Sequence, residues 1–405
     1  MMNWILGIVF WLSLLGILHS YLFYPLLLRW LARGKKANRL VYAPEDDWPQ
    51  VSVLLSAYNE QAVIRQKMDS LLQLSYPKEK LNFYIGSDCS SDGTNAILET
   101  YAAKTPRLHF FPFAERRGKP GVINQLAEMA AEGQDKNPEH IFILTDASVM
   151  MDPGCLRALV RHFKNPEIDI VDAHMIHVGM KEEGISQAED EYISSEVRLK
   201  HREGLVWGKM IGPFGGCFAL RASRFSKVPA NFLVDDFYLT MKVFEQGGKA
   251  INDLEATCRE PVSHELREEF RRKARISAGN FQNMTTFPHL WWPPLRPLSF
   301  AFFSHKVLRW LGPFLILAIL LSSALLALGG NLFYCLLFWV MAGGSILLPL
   351  LDLLFNALGL NILPLRGARY FVMMNLALLQ GFIKFIKGIR SNVWEPTKRS
   401  HPTKP

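Results

Sequence analysis

Val51-Ser52-Val53-Leu54-Leu55 is an apolar run that breaks into Ser56-Ala57-Tyr58-Asn59-Glu60. A short run of this kind, closed by turn-forming residues, reads as a strand buried on both faces, the pattern of a parallel sheet. The chain then repeats the theme. A helix is expected over 61–74, ending before Tyr76-Pro77, then a strand over 81–86 and a helix over 95–103. A third strand over 108–113, a helix over 121–131, a fourth strand over 141–145, a helix near 153–163 and a strand over 169–178 complete the series. Strand–helix alternation predicts an α/β fold with a doubly wound, largely parallel sheet. Ligands of such sheets bind beyond the carboxyl ends of the strands.

Polar clusters fall at those ends. Ser56 to Glu60 closes the first strand, and Ser87-Asp88-Cys89-Ser90-Ser91-Asp92-Gly93-Thr94 closes the second. Arg116-Arg117-Gly118-Lys119-Pro120 precedes the helix at Gly121, and Thr145-Asp146-Ala147-Ser148 closes the fourth strand. Turn and capping chemistry explains any one of these alone. Four at successive ends of one sheet point to a ligand. Carboxylates and amides suit a base and ribose, and Lys119 with the helix start after it suits a diphosphate. An Asp at a strand end suits a divalent cation that bridges phosphates. Further on, Val234-Asp235-Asp236-Phe237-Tyr238-Leu239 sets two carboxylates in an apolar frame. Acids there are costly unless they have partners or chemistry to perform. The competing reading is an N-cap pair opening a helix over 237–246 that Gly247-Gly248 ends.

The length of 405 residues leaves room for two or three units. An average of 49% hydrophobic and 20% charged residues hides apolar ends around a polar middle. The net charge of +8 is what Lys and Arg on the cytoplasmic flanks of membrane segments produce. There is no basic stripe interleaved with aromatics and no zinc-type spacing, so no nucleic acid is expected as a partner. Cys89, Cys155, Cys217, Cys258 and Cys335 are odd in number and dispersed, which fits a reducing cytosol rather than a disulfide framework. Residues 4–31 are long enough to span a bilayer. They are too long for a signal peptide and start without Lys or Arg. Arg29, Arg33, Lys35, Lys36 and Arg39 set the end of that segment in the cytoplasm. Residues 43–50, with Pro44 and Pro49, read as a linker.

Residues 288–306 are rich in Trp and Pro and read as interfacial. Spans are expected over 307–328 and 332–350 about the turn Gly329-Gly330-Asn331, with 370–386 a shorter third candidate. Three spans would leave Lys384, Lys387, Arg390, Lys398 and Arg399 outside, against the positive-inside rule. Either 370–386 is interfacial or re-entrant, or 351–365 adds a crossing. The expected divisions are an N-terminal helix and flank (1–35), a cytoplasmic α/β domain (48–287), an interfacial segment (288–306), a membrane region (307–390) and a basic tail (391–405).

In order and spacing these motifs resemble the family 2 glycosyltransferases over about residues 51–282, in particular the membrane-integrated bacterial members that build polysaccharides or glycolipids. Ser56-Ala57-Tyr58-Asn59-Glu60 is similar to the family's Pro-x-Tyr-Asn-Glu strand end, and the stretch from Ser87 to Thr94 to its Asp-Asp-Gly-Ser-x-Asp-x-Thr loop. Gly118-Lys119 with Asn124 resembles the Gly-Lys-x-x-x-x-Asn element. Asp146-Ala147-Ser148 stands where the Asp-x-Asp metal motif would. Gly212-Pro213-Phe214-Gly215-Gly216-Cys217-Phe218-Ala219-Leu220-Arg221 resembles the glycine-rich loop, and Asp235-Asp236-x-x-Leu239 the Glu-Asp-x-x-Leu motif.

The resemblance implies a GT-A nucleotide-sugar-binding domain flanked by transmembrane and interfacial helices. It implies an inverting transfer from a nucleotide-sugar, a UDP-sugar foremost, to a hydroxyl of a glycan or lipid-linked acceptor in envelope synthesis. Ala57, Tyr58, Asn59, Glu60, Asp88, Lys119 and Asp146 would then hold the donor nucleotide. Gly215, Gly216, Arg272 and Arg275 would meet the donor sugar and acceptor. Asp236 would be the general base with Asp235 beside it, and Asp146, with His264 as a further candidate, would hold Mg2+ or Mn2+. The implied setting is a multi-pass protein of the bacterial inner membrane with its catalytic domain in the cytoplasm, in contact with membrane lipids and other envelope-synthesis proteins.

Three motifs depart from the family. Ser56-Ala57 stands where the first motif has its Pro. Ser148 replaces the second acid of Asp-x-Asp. The Gln-x-x-Arg-Trp motif of processive synthases is reduced to Arg272-Lys273-Ala274-Arg275-Ile276, which argues against processive polymer synthesis. A sugar-phosphate nucleotidyltransferase is a rival, but it would need a glycine-rich basic loop where Ala57-Tyr58-Asn59-Glu60 stands. The other rival is a non-catalytic nucleotide-sugar-binding sensor or scaffold, in which loss of Asp236 would be silent.

Overall fold

The structure is a computed structural model and describes residues 2–36, 38–132, 137–178, 186–261, 266–389 and 391–392. The chain divides into two compact units. One comprises Met1–Leu31, Met180–Glu196 and Ser263–Gly388, the other Ala32–Gly179, Val197–Val262 and Ile389–Pro405.

The second unit is built on an eight-stranded sheet: β1 (Val51–Ala57), β2 (Leu81–Asp88), β3 (Leu108–Phe113), β4 (Ile141–Asp146), β5 (Met150–Met151), β6 (Ile168–Val178), β7 (Cys217–Arg221) and β8 (Lys249–Pro261), in the order β3-β2-β1-β4-β7-β6-β8-β5. The first four strands in that order run parallel. The sheet is not largely parallel beyond them: β7 lies antiparallel between β4 and β6, and β5 is antiparallel to β8. β1 is buried along almost its whole length, as a strand covered on both faces must be. Val53 and Leu55 meet Ile64, Met68 and Leu71 of the helix Ile64–Leu72 in the main core. Each such side chain, fully buried, contributes about 1.5–3 kcal/mol. The helix Gly118–Glu132 covers the opposite face, and a Cβ on Gly86 would lie 2.5 Å from Val122, so only glycine lets that helix approach β2.

The register aligns the functional edge. Ala57 of β1 pairs with Ser87 of β2, and Ser56 with Asp146 of β4. The inserted β7 brings its amino end to the same edge, where Cys217 pairs with Thr145. The glycine-rich stretch before β7 is thereby delivered beside Asp146.

The first unit is helical. Two helices are long and apolar enough to cross a membrane, Asn3–Leu31 and Leu332–Ala357. Pro297–Trp310 and Gly312–Leu328 qualify only as a pair, bent by 63°. The expected span over 307–328 thus begins inside a bent segment. Residues 351–365 hold no separate crossing, because Leu332–Ala357 runs into them and a turn follows. The candidate at 370–386 belongs to a longer helix, Leu363–Ile386, which carries Arg366 and Arg369 in its first turns. Asp352, at the end of the preceding helix, is buried and pairs with Arg369 at 3.1 Å, closing that helical hairpin with an ion pair. Glu196 is ringed in the same unit by His305 (3.0 Å), Lys306 (3.1 Å) and Arg309.

Candidate active site

The loops after β1 and β2 are fastened to each other. Asn59 and Cys89 both adopt positive φ (52° and 58°), and Asn59 Oδ1 accepts from the Ser91 N–H at 2.8 Å. The Asn59 N–H donates to Ser90 Oγ, and the Glu60 N–H to Thr94 Oγ1. Asp92 accepts from the Gln61 and Thr94 N–H groups. Burial works against the charge of Asp92, but these hydrogen bonds outweigh it and hold its carboxyl below the usual range. Asp88, almost fully buried, accepts from Arg116 Nε (3.1 Å) and from the N–H groups of Arg117 (2.6 Å) and Gly118 (3.0 Å). The Arg116 guanidinium in turn lies 3.3 Å from the centre of the Tyr58 ring. Asp88 therefore anchors the start of the helix that carries Lys119, while Tyr58 and Arg116 form a flat stacked face beside Ala57.

A second group gathers around Lys119. Its Nζ lies 2.8 Å from Asp146 Oδ1 and 3.5 Å from Asp235 Oδ2. Burial opposes the Lys119 charge, but Asp146, Asp235 and Asp236 together hold its ammonium well above the ordinary value. The helix Asp235–Glu245 begins with both acids in its first turn. Its N-cap is Val234, and no side chain caps it, so the acids are not an N-cap pair. Asp236 is buried, and burial first, then the neighbouring Asp235 charge, pushes its carboxyl up to about 7. Gly215, at φ +82°, lies against it: a Cβ there would stand 2.4 Å from Asp236 Oδ2. Gly216 is tied to the strand end through its carbonyl, which accepts from the Asp146 N–H (3.1 Å) and Thr145 Oγ1 (3.0 Å).

Two supports, Asp172 and Lys67, escaped sequence reasoning, and a third, the motif residue Asn124, acts in a way the motif does not show. Asp172 of β6, nearly inaccessible, accepts from Lys200 (3.3 Å) and from the Phe214 N–H, and Lys200 also lies 3.6 Å from the Phe214 ring centre. Burial pushes Asp172 up to about 6 against the pull of Lys200. An acid inside the apolar run Ile170-Val171-Asp172-Ala173 was the available signal. Lys67 is fully buried beneath Asp146 and donates to Thr145 Oγ1 (2.8 Å) and the Val149 carbonyl (2.5 Å). Burial pushes its ammonium down to about 8. It sits on the apolar stripe Ile64, Lys67, Met68, Leu71, where a lysine is out of place. Asn124 holds the backbone of Val228 by two hydrogen bonds, 2.8 and 2.9 Å.

The second unit thus brings together Ala57, Tyr58, Asn59, Glu60, Asp88, Lys119, Asp146, Gly215, Gly216, Asp235 and Asp236. Arg272 and Arg275 lie on the helix Leu266–Thr286 of the first unit, where Arg272 is engaged by Glu269 at 2.8 and 3.0 Å. His264 lies outside the described residues. Among the described residues no group of three or more His, Cys, Asp or Glu side chains could hold a metal ion. Asp146 offers one partly exposed carboxylate, with the Ser148 hydroxyl two residues on. That set suits a cation such as Mg2+, which takes one or two carboxylates together with substrate phosphates; it does not make a site from protein ligands alone.

Residues 52–228 match the family described as Glycosyl transferase family 2. Similar proteins include the probable glycosyltransferase YdaM of Bacillus subtilis, 35% identical over 79 residues (19% of this chain and 19% of that protein). The beta-monoglucosyldiacylglycerol synthase of Synechocystis sp. is 31% identical over 121 residues (29% of this chain, 24% of that one). The poly-beta-1,6-N-acetyl-D-glucosamine synthase of Staphylococcus epidermidis is 27% identical over 168 residues (38% of each). The chain therefore spans from about a fifth to two fifths of the length of these relatives. Among solved structures, the mannosyltransferase PcManGT from Pyrobaculum calidifontis, in complex with GDP-Man and Mn2+, superposes with a TM-score of 0.69 at 20% identity, covering 95% of this chain and 99% of that one. That likeness shows a shared fold over nearly the whole chain, and residues 52–228 are a glycosyl transferase family 2 domain.

Proposed function

We propose that the protein is a membrane-attached, inverting glycosyltransferase that moves a sugar from a nucleotide-sugar, a UDP-sugar foremost, to a hydroxyl of a glycan or lipid-linked acceptor. The observation that carries this reading is the buried Asp236, pushed up to about 7 beside Asp235 and Lys119. A general base works best with a pKa near the operating pH. The acceptor hydroxyl oxygen attacks the anomeric carbon and Asp236 takes its proton. The bond from that carbon to the diphosphate oxygen breaks, and the nucleoside diphosphate leaves with the electron pair. A single displacement of this kind inverts the anomeric centre.

The remaining residues support the reading in distinct ways. Tyr58 with its stacked Arg116 offers a flat face for the base, and Asn59 and Glu60 stand at the same strand end. Lys119 provides fixed positive charge for the departing diphosphate. A divalent cation carried with the donor would be held by Asp146 and would add charge neutralisation at the phosphates. Gly215, having no side chain, admits the Asp236 carboxylate against its backbone where the sugar and the acceptor hydroxyl would meet, and Arg272 and Arg275 are further proposed contacts for sugar or acceptor. The helices Asn3–Leu31 and Leu332–Ala357 would anchor the chain as a multi-pass protein in the bacterial inner membrane, with the sheet in the cytoplasm.

The test is nucleoside diphosphate release by detergent-purified protein over a panel of UDP- and GDP-sugars with Mg2+ or Mn2+, with lipid extract as acceptor source. Release from one donor class, abolished by chelator, is the expected result. Donor binding by calorimetry with no release under any condition would favour the scaffold instead.

A further inference from the structure

We propose that Ile389 and Asn392 are working parts of this site, with Asn392 as a positioning residue for the loop that carries Asp235 and Asp236. The inference rests on the transferase reading above. Asn392 is buried, and its Nδ2 donates to the Phe232 carbonyl, 160 residues away in sequence. Asn231 Nδ2 donates to the Ile389 carbonyl at 3.4 Å. On its other side Asn392 packs on Gly118: a Cβ built there would lie 3.6 Å from the Asn392 carbonyl carbon. Gly118 precedes Lys119 and donates its N–H to Asp88.

The loop 228–234 is thus held at two points. Asn124, on the helix Gly118–Glu132, grips Val228, and Asn392, packed on the first residue of that helix, grips Phe232. Between them these contacts fix Asp235 relative to Lys119, 3.5 Å away. The Asn392 amide is a specific device rather than filler. Its donor is used on a buried carbonyl, while its Oδ1 is buried with no partner among the described residues, so the residue is kept at the cost of an unsatisfied acceptor. A displacement of about 1 Å at a reacting group costs on the order of 100-fold in rate, so loosening this loop should be felt in turnover first.

The experiment compares the full-length protein with Asn392→Ala and Asn392→Asp. The aspartate keeps the shape but turns an acceptor toward the Phe232 carbonyl, and the alanine removes the amide without adding a buried charge, so a loss shared by both reports the missing hydrogen bond. Nucleoside diphosphate release and hydrogen exchange are measured on the same preparations. The expected result is a fall in kcat of at least tenfold in both variants, donor KM within about threefold, and faster exchange confined to 228–236, with the helix Ile64–Leu72 unchanged. Turnover within twofold of wild type, or exchange that is unchanged or raised throughout the unit, overturns the proposal. If the wild type releases nothing from any donor, the transferase reading fails by itself. Local exchange at 228–236 then decides the role of Asn392 alone.

Discussion

Two groups of polar residues lie along one edge of the sheet and are built on opposite principles. In the loops after β1 and β2, Asn59, Ser90, Ser91, Asp92 and Thr94 direct their hydrogen bonds at one another and at nearby backbone. Around Lys119, three carboxylates crowd one ammonium, and Asp236 is left with a proton affinity far above that of an ordinary aspartate. The first arrangement lowers the energy of a fixed shape. The second stores unfavourable charge that substrate binding and proton transfer can relieve. Substitutions should therefore act on stability in the first group and on turnover in the second.

Lys119→Met should have the largest effect of four. Removing the cation that bridges Asp146 and Asp235 should lower kcat/KM for nucleoside diphosphate release by about 100- to 1,000-fold, and a loss below fivefold would break the contrast. Gly215→Ala comes next. It places a methyl against Asp236 in a left-handed backbone, and kcat should fall by roughly 10- to 100-fold as that acid is displaced. The third prediction concerns stability against pH. Asp236 titrates near 7 in the folded protein and near 4 in the unfolded chain, so the fold binds a proton that the unfolded chain releases between those values. Stability is lost as pH rises through that window, by at most on the order of 4 kcal/mol. Asp236→Asn lacks this loss, so its melting temperature relative to wild type should rise steadily from pH 4 to pH 8. A difference from wild type that is the same at both pH values would remove the stored charge from the account. The smallest effect is expected for Asp92→Ala, which removes hydrogen bonds to Gln61 and Thr94. It should cost about 1–2 kcal/mol in denaturant melts and leave kcat within about threefold.

The parallel half of the sheet was legible because a strand covered on both faces must be apolar throughout, and Val51 to Leu55 is. β7 was not, because the glycines before Cys217 hide where the strand begins, and its antiparallel direction follows from tertiary pairing with β4 and β6. β8 was missed because Lys249–Pro261 mixes polar and apolar residues through an irregular register with β6. Asp236 stood out as an acid in an apolar frame. Asp172 carried the same signal but was absorbed into a strand, and Lys67, on the apolar stripe of its helix, reads by residue type alone as a surface lysine. Asn124 was legible as a motif residue, whereas its grip on Val228 was not. Asn392 had no local signal at all, since its meaning lies in a carbonyl 160 residues away.

The most direct measurement is nucleoside diphosphate release by Asp236→Asn beside wild type, with donor affinity measured on both by calorimetry. The account predicts a loss of turnover of at least 1,000-fold with donor affinity within about threefold, because the amide keeps the shape of the site and cannot take the acceptor's proton. Turnover by the asparagine variant within tenfold of wild type would contradict it and would move the base to another residue.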